Sequence, residues 1–209
     1  MFVGVALISI ALGIITYTSN SRKRIREELN AAGVAVTYTS DGYPEWLVAV
    51  FGNYLCVDGV VLYANGAIVS DDVSRLIDEL PCLTNVVIVR STLSIRAFEV
   101  IANSNNLEFL SVQNSVIENY SAARLQLANS IKFLEISNAA FDDDGLRCIG
   151  KLSNLEELHI ENTEVTDSGL SYLASMQSLR QVSLAGTKVT EQGVDRLQAA
   201  LPAALVDRW

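Results

Sequence analysis

One histidine and three glutamates raise the first chemical question. His159 is the only histidine in the chain, Glu157 and Glu161 flank it at a spacing of two, and Glu135 lies 24 residues before it. One imidazole with three carboxylates is a donor set for a divalent cation. A glutamate beside a histidine can also pass a proton in acid–base catalysis. Both chemistries need a recess that excludes water, and most hydrolytic reactions need a positioned nucleophile as well. The sequence offers neither, so the four residues are expected to form a solvated polar face. Asp142-Asp143-Asp144 invites calcium, but it stands where a helix begins, and acid is favoured there by the helix dipole. No GxSxG, glycine-rich phosphate loop or HExxH occurs. Cys56, Cys82 and Cys148 are an odd set with no CxxC or Cys/His spacing. They are read as reduced thiols, with no disulfide framework and no zinc site. The expectation is a protein that is not an enzyme: no catalytic residues, no metal, no cofactor and no small-molecule substrate.

The elements that would position these side chains come from a repeat. Segments beginning at Leu83, Leu107, Ile131, Leu155 and Leu179 align at a constant offset of 24 without a gap. Position 4 reads Val86, Leu110, Leu134, Leu158 and Val182; position 6 reads Ile88, Val112, Ile136, Ile160 and Leu184. Two apolar residues at a spacing of two face one side of a short strand. Apolar residues later in each copy switch to helical spacing, as in Val165, Leu170, Leu173 and Met176. Thr166-Asp167 and Thr190-Glu191 supply an N-cap hydroxyl followed by acid in the first turn. Gly145, Gly169 and Gly193 recur at one position and predict close packing between neighbouring helices. A degenerate first copy, taken as one residue longer, places Val61, Tyr63, Ile68, Val73 and Leu76 in matching roles. A strand–helix unit of this size cannot bury its own apolar face, so stacked copies must share one core.

The run L-x-x-L-x-L-x-x-T-x-V-T-D-x-G-L-x-x-L, from Leu155 to Leu173, resembles leucine-rich repeats of the ribonuclease-inhibitor or cysteine-containing class. The whole layout is similar to bacterial membrane-anchored leucine-rich-repeat proteins. The resemblance implies an α/β solenoid, a short curved parallel sheet with outer helices, covering residues 59–202 in about six repeats. The usual Asn or Cys of position 9 is replaced by Ser91, Ser115, Ala139, Thr163 and Thr187. Hydroxyls there can satisfy turn backbone groups; Ala139 cannot. The copy at Leu107 also lacks the Gly-Leu pair, having Ser121-Ala122.

In such a fold positions 3, 5 and 7 face out from a concave sheet. Position 3 then puts Phe109 and Phe133 on adjacent strands, ~4.8 Å apart in backbone, with Val87 and Val89 one strand further over. Exposed phenylalanines on an open sheet can mark an interaction site; the alternative is that they stack on each other or lie under a cap. The candidate partner surface is therefore Phe109, Phe133, Val87 and Val89, continued by Glu135, Glu157, His159 and Glu161. Its partner is expected to be another protein.

Phe2 to Thr18 is an uncharged apolar run, followed by Arg22, Lys23, Arg24 and Arg26. Seventeen helical residues cover ~26 Å, slightly short of a ~30 Å hydrocarbon core. Residues 1–21 are read as a transmembrane helix that contacts the membrane through 2–18, and 22–33 as a basic juxtamembrane helix. Residues 34–58 are read as an N-terminal cap and 203–209 as a C-terminal cap. The basic flank predicts a single-pass protein whose soluble domain is cytoplasmic. From Gly33 onward, 11 basic and 22 acidic residues leave a formal charge of −11, which disfavours nucleic acid as a partner. Two other readings remain: a structural subunit of a membrane-associated complex, and a metal-dependent enzyme on the Glu/His face.

Overall fold

The computed structural model of the chain describes residues 20–38, 59–117 and 128–208. The apolar segment 2–18, most of the 34–58 cap and the second half of the Leu107 copy lie outside the described residues. Among those described, no helix is long and apolar enough to cross a membrane.

Each copy contributes one strand to an eight-stranded sheet. In chain order the strands are β1 (Val34–Tyr38), β2 (Val60–Asn65), β4 (Leu83–Val89), β6 (Phe109–Gln113), β8 (Phe133–Ser137), β9 (Glu157–His159), β10 (Gln181–Ser183) and β11 (Leu205–Asp207), and they neighbour one another in that order. All pairings from β2 to β11 are parallel; only β1 runs antiparallel, against β2. Side chains two apart share a face, so positions 4 and 6 point together into the core. Leu110, Leu134, Leu158, Val182, Ile88 and Ile160 have essentially no exposed surface.

Beyond each main strand the chain turns through a left-handed residue. Gly66, Arg90, Asn114, Asn138, Asn162 and Gly186 recur every 24 residues with φ between 48 and 68°. Asparagine and glycine tolerate that region best. Arg90 is the exception, and its guanidinium donates to the Asn65 side chain at 2.9 Å. Three two-residue strands follow these turns, β3 (Ile68–Val69), β5 (Thr92–Leu93) and β7 (Val116–Ile117), and pair in parallel as a small second sheet. Helices α2 (Asp71–Asp78), α3 (Ile95–Ala102), α4 (Asp143–Ile149), α5 (Asp167–Leu170) and α6 (Glu191–Ala200) close the copies. Their N-caps form another column of period 24: Ser70, Ser94, Asp142, Thr166 and Thr190 each accept from a first-turn N–H.

The recurring T-D-x-G motif is a bond between repeats. Asp143 accepts from the Thr166 N–H at 2.8 Å and from its hydroxyl at 2.6 Å. Asp167 makes the same pair with Thr190, at 2.7 Å for both. The glycine of the later copy makes room for this carboxylate: a Cβ on Gly169 or Gly193 would lie 2.3 or 2.2 Å from Asp143 Oδ1 or Asp167 Oδ1. Gly145 answers a different neighbour, because a Cβ there would meet the Phe141 ring at 2.4 Å. The two hydrogen bonds from Thr190 hold the Asp167 carboxyl below its ordinary value.

At position 9 the hydroxyls of Ser91 and Ser115 satisfy turn backbone groups as expected, whereas the buried Thr163 hydroxyl has no hydrogen-bond partner. Ser91 Oγ accepts from the Ala67 N–H and Ser115 Oγ from the Ser91 N–H, both at 3.1 Å, while each hydroxyl donates to the carbonyl two residues before it. Ala139 has no oxygen to continue this ladder.

Two expectations are corrected, the register of the first copy and the state of Cys82. The first copy is not one residue longer. Leu62 pairs with Val86 and Tyr63 with Val87, an offset of 24, with the irregularity confined to Val60/Val61. Leu62 and Ala64 therefore fill the core, Val61 is half-buried, and Tyr63 is 42% exposed. A slip of one residue exchanges the two faces of a strand. Residues 22–33, expected as a basic helix, lie against the solenoid. Residues 20–31 are helical (α1) and bury Ile25 and Leu29 in the solenoid core. Arg24 pairs with Glu79 at 2.7 Å, the Arg22 guanidinium lies 5.5 Å from the Tyr38 ring centroid, and Lys23 is 4.0 Å from Glu27. The C-terminal segment contributes β11, a further sheet strand, clamped by Gln198 through Leu201, Ala204 and Val206. Finally, Cys82 is disulfide-bonded, against the expectation of three reduced thiols, whereas Cys148 is free and buried.

Candidate protein-binding face

The face of the eight-stranded sheet opposite the buried positions 4 and 6 carries the candidate residues. Phe109 and Phe133 sit in register on β6 and β8. Their rings stack with centroids 4.3 Å apart and planes within 7°. His159 on β9 joins this stack, its ring 5.1 Å from Phe133 and tilted by 30°. The aromatic and the Glu/His clusters, separate in the sequence, are thus one strip. Both phenylalanines are half-buried, as are Val87 and Val89. The rings shield each other along their stacked faces and leave their outer edges accessible.

The strip extends further toward the N-terminus than the sequence indicated. Tyr63 stands beside Val87 and Val61 beside Asn85. A step of 24 back from Val87 lands on Tyr63, so the signal was present; the assumed longer copy hid it.

The acidic residues are held by hydroxyls and amides. Glu135 accepts from Ser111 Oγ at 2.9 Å, from Gln113 Nε2 at 2.8 Å and from Ser137 Oγ at 3.4 Å. Ser111 and Ser137 are buried beneath it. Glu161 accepts from Ser183 Oγ at 2.9 Å. His159 Nε2 lies 4.0 Å from Glu157 and, although buried, has no hydrogen-bond partner. Glu135, Glu157, His159 and Glu161 do not converge: among the described residues, no group of three or more His, Cys, Asp or Glu side chains is placed to hold a metal ion. A carboxylate already accepting three hydrogen bonds is a poor general base.

No lysine or arginine occupies positions 3, 5 or 7 from β2 to β10. Elsewhere basic residues meet acid across repeats, as in Lys132 with Glu108 at 3.0 Å and Lys188 with Glu164. The open face therefore divides into an aromatic and aliphatic part over β2–β8 and a net acidic part over β8–β10.

A family model described as leucine-rich repeat matches residues 151–174, the stretch that holds β9 and α5. The fold is a leucine-rich-repeat solenoid. An internalin (inlF) from Listeria monocytogenes superposes with a TM-score of 0.56 at 16% identity, covering 70% of this chain and 40% of the internalin. An internalin C2 from the same organism gives 0.40 at 15% identity over 70% and 79% of the two chains. A leucine-rich-repeat protein from Leptospira interrogans gives 0.45 at 16% identity over 63% and 38%. The chain spans about two fifths of the length of the first of these internalins. No curated protein matches it in sequence.

Proposed function

We propose that this leucine-rich-repeat chain is a protein-binding module whose open sheet face, expected to be concave, contacts the partner. The observation that carries this reading is the continuous strip Tyr63–Val87–Phe109–Phe133–His159, left partly exposed on a sheet whose other face is fully packed. Aromatic side chains at the centre of a contact commonly dominate its energy. With Glu135, Glu157 and Glu161 beside the rings and no lysine or arginine among them, the face complements a partner that presents apolar side chains next to basic ones. Tethering to a membrane through residues 2–18 belongs to the same proposal and rests on the uncharged run there. The outer helices support assignment of the repeats to the ribonuclease-inhibitor-like class.

Phe109→Ala with Phe133→Ala tests the face. The double variant is expected to lose co-purification of the partner from membranes. Its unfolding midpoint should fall by only a few degrees, since a stacked pair contributes about 0.5–1.5 kcal/mol beyond its area. A collapse of stability would make the rings core residues and remove the site.

A structural-subunit reading has its own observation. Ile68 and Val116, on the small second sheet, are 73% and 61% exposed. If that side is the contact, Ile68→Ser with Val116→Ser will abolish co-purification while the phenylalanine variant retains it.

A further inference from the structure

We propose that His159 and Glu157 form a proton-operated switch within the open sheet face: when the imidazole takes up a proton, Glu157 closes onto it and the face loosens its hold on a basic partner. The regulatory half of this proposal rests on the reading of that face as the partner-binding surface.

The histidine stands where a charge would matter. It is the only one in the chain, and its ring continues the Phe109–Phe133 stack at 5.1 Å from Phe133. Its side chain is 22% exposed, but Nε2 is buried and has no hydrogen-bond partner. A buried nitrogen in that state has lost water and gained nothing in exchange. Oε2 of Glu157 lies 4.0 Å away, too far for a hydrogen bond. In a neutral imidazole only one nitrogen carries a hydrogen, whereas both donate in the imidazolium. Protonation therefore places a charged donor at Nε2, facing that carboxylate. A charge-assisted N–H···O bond is about 2.7–2.9 Å long, so closure asks for a side-chain movement of roughly 1 Å.

The neighbouring strands decide which carboxylate responds. On β8, Glu135 is in register with His159 and Phe133 with Glu157. On β10, Ser183 and Gln181 stand opposite the same two residues and carry no charge. Glu157 and Glu161 flank the histidine on its own strand, so three carboxylates and no lysine or arginine share its part of the face. Two of the three are already held: Glu135 by Ser111, Gln113 and Ser137, and Glu161 by Ser183. The Glu157 side chain is 47% exposed and, among the described residues, its carboxylate accepts no hydrogen bond. It is the one free to close.

Imidazole is the side chain whose charge ordinarily changes between about pH 5 and 8. In its neutral form the ring extends the apolar strip and leaves the Glu157 carboxylate open to a lysine or arginine of the partner. In its charged form it engages Glu157 and adds positive charge to the acidic part of the face. Both changes oppose a basic partner.

Nuclear magnetic resonance of the full chain, isotopically labelled in its histidine and glutamates, tests the switch, because one histidine gives one set of ring signals. Between about pH 8 and 5.5, where carboxylates are ordinarily ionised, the ring signals should move to the imidazolium positions. The Glu157 carboxyl signal, identified by its loss in Glu157→Gln, should shift in the same step. Glu157→Gln should move the histidine transition to lower pH, and Glu161→Gln should move it less. A ring that stays neutral throughout, or a transition that Glu157→Gln leaves in place, overturns the switch. The regulation is read separately, by a photo-crosslinking phenylalanine analogue at position 109 in the chain's own membranes. Capture should fall by roughly threefold over the same pH range, the size of one exposed ion pair lost. In His159→Phe, which keeps a ring and cannot ionise, capture should not change with pH. Parent capture that ignores pH while the ring titrates overturns the regulation. No capture at any pH overturns the binding reading of the face, and the regulation with it, while the resonance result still decides the switch.

Discussion

At the scale of single residues, the repeats are joined by side chains that reach one copy along the chain, 23 or 24 residues away. Asp143 and Asp167 each take two hydrogen bonds from the N-cap threonine of the next helix. The Asp167 carboxyl is held low by Thr190, so its contribution is fully present above the ordinary aspartate value of 3.8 and is lost as the pH falls through its folded value. Asp167→Asn should therefore be less stable than the parent at pH 7, with the gap closing below pH 3.8; denaturant titrations across that range measure it. Position 9 gives a second expectation. Ala139 interrupts the hydroxyl ladder formed by Ser91 and Ser115. Ala139→Ser should accept from the Ser115 N–H and add about 0.5–1.5 kcal/mol, read as a rise in the denaturation midpoint. An unchanged or lower midpoint would show that the ladder ends at Ser115 for another reason.

At the scale of elements, the main strands of the five copies from Leu83 onward were legible because a period of 24 runs through them without a gap. The column that places Leu134 and Leu158 in the core needs only alternation and the repeat. The first copy is harder to read because Val60 and Val61 are both apolar and the register shifts between them. A register one residue off places Tyr63 in the core rather than on the face. The packing of the basic helix is hidden for a related reason. Four charges dominate residues 22–26, whereas the i,i+4 pair Ile25 and Leu29, which the core uses, is easily passed over. Neither the stack of His159 on Phe133 nor the disulfide at Cys82 has a local sequence signature; both depend on how strands and turns meet. Leu29 is fully buried, so Leu29→Ala should cost about 2–5 kcal/mol in equilibrium unfolding. A loss below ~0.5 kcal/mol would make α1 a spacer rather than part of the solenoid.

At the scale of the whole molecule, the solenoid has two unlike faces. Positions 4 and 6 and the inner sides of the helices form one continuous core from Ile25 to Ala204. The opposite sheet face carries aromatic and aliphatic residues toward β2 and carboxylates toward β10, with Glu135 where the two meet. A surface of this kind binds without a pocket, through a few central rings surrounded by polar contacts. The most direct measurement places a photo-crosslinking phenylalanine analogue at position 109, at position 133 or, as a control, at the exposed helix position 147, in the full chain in its own membranes. The account predicts one shared partner captured from 109 and 133 and none from 147. Capture from 147 with none from the two sheet positions would contradict it.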